Sequence, residues 1–262
     1  MRARARFAAR ERPHEIDDVE LLTRRIHGHN FAAIHGSAFM LMNVLLDVVD
    51  SDREHDTINV LREEVEKVLR EDRLAAGGEQ PAWTKAHMSE MVQYDSLFRE
   101  TSRLHAYTNR VLQRKIVADD LVTPDGDAIP QGSYISFLAY PPQVDPNTYP
   151  DPLTYNPFRF VRKTSFTSST TKETDSEKGE GASGHKSFVT TGPGFLFFSH
   201  GKHACPGRFM VDAELKIIIS QIVSNYELKF PDSYHGKRPP VEWQGGVATP
   251  PEHANILFRR RK

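Results

Sequence analysis

Phe198-Ser199-His200-Gly201-Lys202-His203-Ala204-Cys205-Pro206-Gly207 contains the only cysteine of the chain. A helical pattern follows from Arg208 to Tyr226. Cys205 is therefore expected on a loop that opens a helix, with Pro206 in the first turn, where its missing N–H is not needed. Backbone N–H groups at a helix start favour negative charge. A thiol placed there is pushed from about 8.5 towards roughly 3.5–7.5. Thiolate is the form that attacks electrophiles or binds metal. A single cysteine excludes an intrachain disulfide, a Cys-x-x-Cys redox pair and an all-cysteine zinc site. Two chemistries remain, a cysteine nucleophile or one axial thiolate on haem iron. Beside them stands the plainer alternative of an inert, buried cysteine. The flanking residues favour haem. Gly201 and Gly207 let backbone lie close to a flat ligand, Phe198 offers an aromatic face, and His203 can donate to a propionate.

The pattern Phe-x-x-Gly-x-x-x-Cys-x-Gly, met at Phe198, Gly201, Cys205 and Gly207, resembles the haem-binding loop of the cytochromes P450, the haem-thiolate monooxygenases. The surrounding Lys-His-Ala-Cys-Pro-Gly-Arg-Phe is most similar to fungal members. The resemblance implies a heme b (iron protoporphyrin IX) cofactor with Cys205 as axial iron ligand. It implies insertion of one oxygen atom from O2 into a small organic substrate, lipophilic and secondary-metabolite-like, with two electrons from an NADPH-cytochrome P450 reductase. The implied fold is mainly α with small β-sheets. The chain, 1–262, corresponds to the C-terminal half of the family's haem domain. Microsomal relatives are longer and carry an N-terminal anchor at the endoplasmic reticulum membrane, and no such anchor is expected in residues 1–262. A fragment, a truncated gene or a degenerate copy is therefore expected, with a missing N-terminal half as a further partner. A non-catalytic remnant is one alternative. A cysteine-nucleophile enzyme using His200 or His203 as base is another.

Upstream, apolar residues from Leu21 to Val48 recur at helical spacing, which predicts one long helix over residues 15–50. Gly36 in its middle costs about 1 kcal/mol against alanine, so close helix packing or function is expected there. The resemblance makes this the distal helix that crosses the haem face. Ala32 and Ala33 match the small pair over the iron. His35 stands where an acid is usual, and Gly36 stands where a threonine orders oxygen and its proton-donating water. Ser37 is the next hydroxyl. The departure at Gly36 leaves proton delivery to Ser37, water or substrate, or impairs it.

A second helix is expected from Asp56, as N-cap, to Arg73. A third is expected over residues 89–105. In it, Glu100 and Arg103 are spaced i,i+3 and share a face, a common surface pattern. The resemblance makes them a buried pair joined by Arg159 of Pro157-Phe158-Arg159-Phe160, the three together holding the loop that presents Cys205. Strands are expected at Asn109–Val117 and Tyr134–Tyr140, then an irregular, proline-stiffened connection from Pro141 to Pro152. Arg114 is either a propionate partner or an exposed strand arginine. The run Lys163–Lys186, within an insertion over residues 163–187, has almost nothing apolar to offset ordering entropy and is expected to be flexible. The cysteine loop and following helix occupy residues 198–226. Strands are expected at Tyr226–Phe230 and Ile256–Arg259, and the resemblance makes the bend over Gly245–Pro250 the counterpart of a family loop that touches substrate.

The 262 residues carry 34 Lys and Arg against 35 Asp and Glu, for a net charge of −1. That balance gives no case for nucleic acid or an anionic membrane surface. Apolar content is 38%, and no run reaches the roughly 18 apolar residues of a membrane span. The start Met1-Arg2-Ala3-Arg4-Ala5-Arg6-Phe7 lacks a signal-peptide core and is expected to be a solvated terminus. One cysteine fits a reducing, intracellular location.

Overall fold

The computed structural model describes residues 2–75, 81–106, 108–161 and 186–261. They fall into two compact units, Met1–Phe39 and Met40–Lys262. In the first, the basic start is helical and its described side chains are exposed. Alanine and arginine are good helix formers, and they make helix α1, Arg2–Glu11. A turn at Pro13–Glu15 follows, where Glu15 is bonded by Arg25 (2.9 Å) and Arg12 (3.3 Å).

Helix α2 runs Val19–His55, later at both ends than its apolar pattern suggests. It starts later because the Asp18 carboxylate accepts the Leu21 N–H at 2.8 Å, an N-cap contact. Its last turns are held by polar contacts that a hydrophobic pattern does not record, such as Ser51 Oγ to Thr57 Oγ1 at 2.8 Å. By length and composition α2 is apolar enough to cross a membrane, with a window of mean hydropathy 1.6. That corrects the expectation that no stretch qualifies, since alanine and methionine raise the mean without an unbroken aliphatic run. Its second half is nonetheless a core helix. Asn43 and Asp47 are buried and take the guanidinium of Arg238.

In the second unit, α3 spans Thr57–Ala75. Asp56 holds the N-cap position, its carbonyl accepting the Val60 N–H at 3.0 Å, but its carboxylate bonds the Asn59 side chain. Asp56 sits at φ 50°, and the Asp52 carboxylate instead accepts the Ile58 N–H at 2.8 Å. The expected third helix is two: α4, Lys85–Glu90, and α5, Val92–Leu104, broken at Met91. Thr84 Oγ1 caps α4 by accepting the His87 N–H, and the His87 ring Nδ1 accepts the Thr84 N–H. Glu64 of α3 caps α5 by accepting the N–H groups of Gln93 (2.9 and 3.0 Å) and Tyr94 (3.2 Å). Strands β1 (Arg110–Lys115) and β2 (Tyr134–Leu138) pair antiparallel, Val111 opposite Phe137, with a bulge between Val111 and Arg114. Within the proline-rich connection, Tyr140–Gln143 forms a short helix, α6, because proline is well placed in a first helical turn.

Helix α7, Arg208–Asn225, follows the cysteine. Strand β3 (Tyr226–Lys229) pairs with the C-terminal β6 (Leu257–Arg260). Between them, β4 (Glu242–Gln244) and β5 (Val247–Thr249) make a hairpin turned by Gly245 and Gly246. Gly246 has φ 90°, and a Cβ there would lie 2.9 Å from Asn109 Oδ1, so only glycine fits. One core joins Val44 and Val48 of α2, Leu61, Val65 and Leu69 of α3, Leu97 and Phe98 of α5, and Leu215, Ile219 and Val223 of α7. Burying each such side chain contributes about 1.5–3 kcal/mol. The insertion expected at 163–187 lies, but for its last two residues, outside the described residues.

Candidate haem-thiolate loop

The segment leading to Cys205 rests on an aromatic bed. Tyr94 and Phe98 of α5 pack edge-on at 5.9 Å, Phe98 meets Phe188 at 5.6 Å, and Phe188 meets Phe198 at 4.9 Å. Phe198 is buried, so it supports the loop from beneath. The chain then turns sharply, with Ser199 at φ 60° and Gly201 at φ 69°. Glycine populates that region freely, whereas serine is held there against a steric cost. The Cys205 N–H closes the turn on the Phe198 carbonyl at 2.8 Å.

The thiol is free and exposed. Gly207 caps α7, so Pro206 lies just outside the helix, not in its first turn. A Cβ on Gly207 would sit 3.8 Å from the Cys205 sulfur, and its absence leaves the sulfur open on that side. Arg208 fastens the loop from the helix, its guanidinium donating to the carbonyls of Cys205 (2.7 Å) and Val189 (3.2 Å). His203 is exposed on the turn Gly201–His203. His200 is bonded to Thr191 Oγ1 at 2.9 Å, not to the thiol. Arg114 is exposed and donates to the carbonyl of Gln113 on its own strand.

Below the loop, Glu100 and Arg103 are completely buried and doubly bonded, at 2.8 and 2.9 Å. Arg159 Nε reaches the same carboxylate at 3.0 Å, as does the Asn156 N–H at 3.0 Å. Arg103 spends its remaining amino group on the carbonyls of Gln143 (2.8 Å) and Pro152 (2.6 Å). Arg159 donates to the carbonyls of Pro150, Asp151 and Thr154. A buried carboxylate without such partners would be very unfavourable, and here every charge is met.

Two neighbouring clamps were not legible in the sequence. Arg99 donates to the carbonyls of Ser187 (3.2 Å) and Thr190 (2.7 Å), with its guanidinium 3.8 Å from the Phe195 ring centroid. Lys216 of α7 is buried and bonds the Met88 carbonyl (2.9 Å), Asp95 (2.8 Å) and Asp212 (3.2 Å). It uses all three of its donors. Burial pushes Asp212 up to about 6, in spite of the Lys216 charge. The only available signal was a lysine interrupting the apolar run Leu215-Lys216-Ile217-Ile218-Ile219.

In the first unit, Phe31, Ala32, Ala33, Ile34 and His35 are all exposed, with Phe31 and Ile34 at 66% and 63%. The His35 ring bonds the Phe31 carbonyl at 3.1 Å. Among the described residues, nothing lies within 4 Å of a Cβ built on Gly36, so close helix packing does not explain that glycine. The Ser37 hydroxyl is buried and has no hydrogen-bond partner among the described residues.

An open thiol ahead of a helix start, on a glycine-turned loop, stands in one unit with a buried Glu-x-x-Arg pair, the combination that the resemblance to haem-thiolate proteins implies. The cytochrome P450 family pattern matches residues 18–258, and the chain belongs to the cytochrome P450 family. It is 43% identical to cytochrome P450 monooxygenase astC of Aspergillus terreus over 256 residues, covering 98% of this chain and 45% of that protein. It is 40% identical to cytochrome P450 monooxygenase pbrC of Penicillium brasilianum, with the same coverage. It is 39% identical to cytochrome P450 monooxygenase tenB of Beauveria bassiana, covering 98% and 46%. The chain thus spans a little under half the length of these fungal relatives.

Proposed function

We propose that this chain is the haem-bearing part of a monooxygenase that inserts one oxygen atom from O2 into a small lipophilic substrate. Cys205 would hold the iron of heme b through its thiolate. The observation that carries this reading is the free, exposed thiol on a loop closed by the Phe198 carbonyl, with Gly207 leaving its flank open. When bound, the thiolate-ligated haem supplies electron density that favours O–O cleavage.

The chain's own residues do the rest. Phe198, Gly201 and Gly207 set the loop's path, His203 is placed at its exposed edge to donate to a propionate, and Arg114 is a second candidate donor. Glu100, Arg103 and Arg159 hold the connection beneath it. The family resemblance makes Ala33 one of the small residues of the distal helix, and in its own unit it is exposed. With no hydroxyl at Gly36, proton delivery falls to the unpartnered hydroxyl of Ser37 and to water, and His35 is tied to its own helix. Electrons come from an NADPH-dependent reductase. A single-cysteine chain of this kind fits a reducing, intracellular compartment.

The test is alkylation of Cys205 by iodoacetamide, with and without one equivalent of haem. Haem should slow the reaction by an order of magnitude or more, because a ligated thiolate is no longer a free nucleophile. Haem bound with an unchanged alkylation rate contradicts the assignment. An activity that needs no haem and dies with alkylation would favour a cysteine nucleophile.

A further inference from the structure

We propose that Gln143 is a positioning residue, coupling the buried Glu100–Arg103 pair to the loop that presents Cys205. The coupling itself stands on geometry; its consequence for haem ligation rests on the functional reading above.

Gln143 ends α6 and is completely buried. Its carbonyl and its side-chain amide point to one of two places. Its backbone carbonyl accepts Arg103 Nη1 at 2.8 Å, and its side-chain Nε2 donates to the Arg103 carbonyl at 3.1 Å. Its side-chain Oε1 accepts the Leu196 N–H at 3.1 Å. Leu196 is itself buried, so its N–H depends on that oxygen. From Leu196 the bonds continue into the loop. The Leu196 carbonyl accepts the Ser199 N–H at 2.8 Å, and the next residue but one, Phe198, accepts the Cys205 N–H at 2.8 Å. A continuous path thus runs from the Glu100–Arg103 pair to the backbone that carries the thiol.

The other members of the charged group do not make this connection. Arg159 spends its donors on Glu100 and on the carbonyls of residues 150, 151 and 154. The position needs a donor and an acceptor on one planar group, and a neutral one, because Glu100 already brings the buried negative charge. A carboxamide meets all three requirements. Nothing in the local sequence, Tyr140-Pro141-Pro142-Gln143-Val144, marks the residue, since its partners are 40 and 53 positions away.

The experiment compares the unsubstituted 262-residue chain with Gln143→Met, which keeps length and volume but removes both side-chain bonds. Val65→Ala, a cavity in the α3 core, serves as a destabilised control. Amide hydrogen exchange is measured without haem. Gln143→Met should speed exchange at Leu196, Ser199 and Cys205 by about tenfold relative to α3, the loss expected for one buried hydrogen bond. Cys205 alkylation should accelerate with it, and Val65→Ala should leave the loop-to-α3 ratio unchanged. A loop-to-α3 ratio in Gln143→Met no higher than in Val65→Ala overturns the proposal. After haem addition, Gln143→Met should lower the thiolate-ligated fraction of bound haem, read from the Soret band of the reduced, CO-exposed chain. If loop exchange responds but even the unsubstituted chain shows no thiolate signature, the coupling stands and the haem reading fails. If the signature is present and loop exchange does not respond, the haem reading stands and the coupling fails.

Discussion

Single side chains around Cys205 work by completing accounts that burial would otherwise leave open. Glu100 meets two arginines and a backbone N–H, Lys216 meets three oxygens, and Gln143 meets two donors and an acceptor. Glu64 is the exception. It caps α5 through two N–H groups, yet burial pushes its carboxyl up to about 7, with Asp95 adding to the rise and Lys216 opposing it. Its ordinary value is 4.5. The folded state therefore binds a proton that the unfolded state has released between these two values. The stability that Glu64 contributes is fully present below pH 4.5 and is lost as pH rises to about 7. The size is on the order of 3 kcal/mol. Glu64→Gln should remove this decline. Urea unfolding from pH 4.5 to 7.5 should show the unsubstituted chain losing stability relative to the variant across that window. Parallel curves would refute the assignment.

At the scale of elements, the fold was legible where periodicity or a motif declared it. The long apolar stripe located α2, the charged amphipathic stripe located α3, and the cysteine motif located the loop before α7. The misplacements share one physical cause, that caps and breaks are decided by side chains lying outside the pattern. The Asp52 carboxylate caps α3 in place of that of Asp56, and Met91 divides what reads as one helix. Of the site, the motif residues were readable, whereas Gln143, Arg99 and Lys216 were not, because their partners lie far off in sequence. Gly36 is an element-level test. Its side-chain position is open, so no packing opposes a methyl group, and alanine should stabilise α2 by about 0.5–1 kcal/mol. Thermal unfolding without haem checks this. A destabilised Gly36→Ala would mean that the glycine is required by the helix itself. Under the functional reading, Gly36→Thr should leak less peroxide per electron, and equal leakage would count against that role.

On the scale of the whole molecule, one set of contacts fastens the loop to the core. The aromatic bed runs from α5 to Phe198, Lys216 joins α7 to α5, and the Arg103–Gln143–Leu196 path reaches the loop from α6. The second half of α2 is tied to the C-terminal region by Arg238, with Asp47 held below the usual carboxylate range. Burial alone would raise Asp47, but its interactions with His105 and Arg238 outweigh it. These contacts lie within residues 40–262, so they predict that this unit can set the loop's geometry by its own packing. The most direct test is the absorbance difference spectrum of the purified chain, reconstituted with haem, reduced and exposed to CO, beside Cys205→Ala. The account predicts a strongly red-shifted Soret band in the unsubstituted chain that is absent from Cys205→Ala. The same band in both would contradict Cys205 as the iron's ligand.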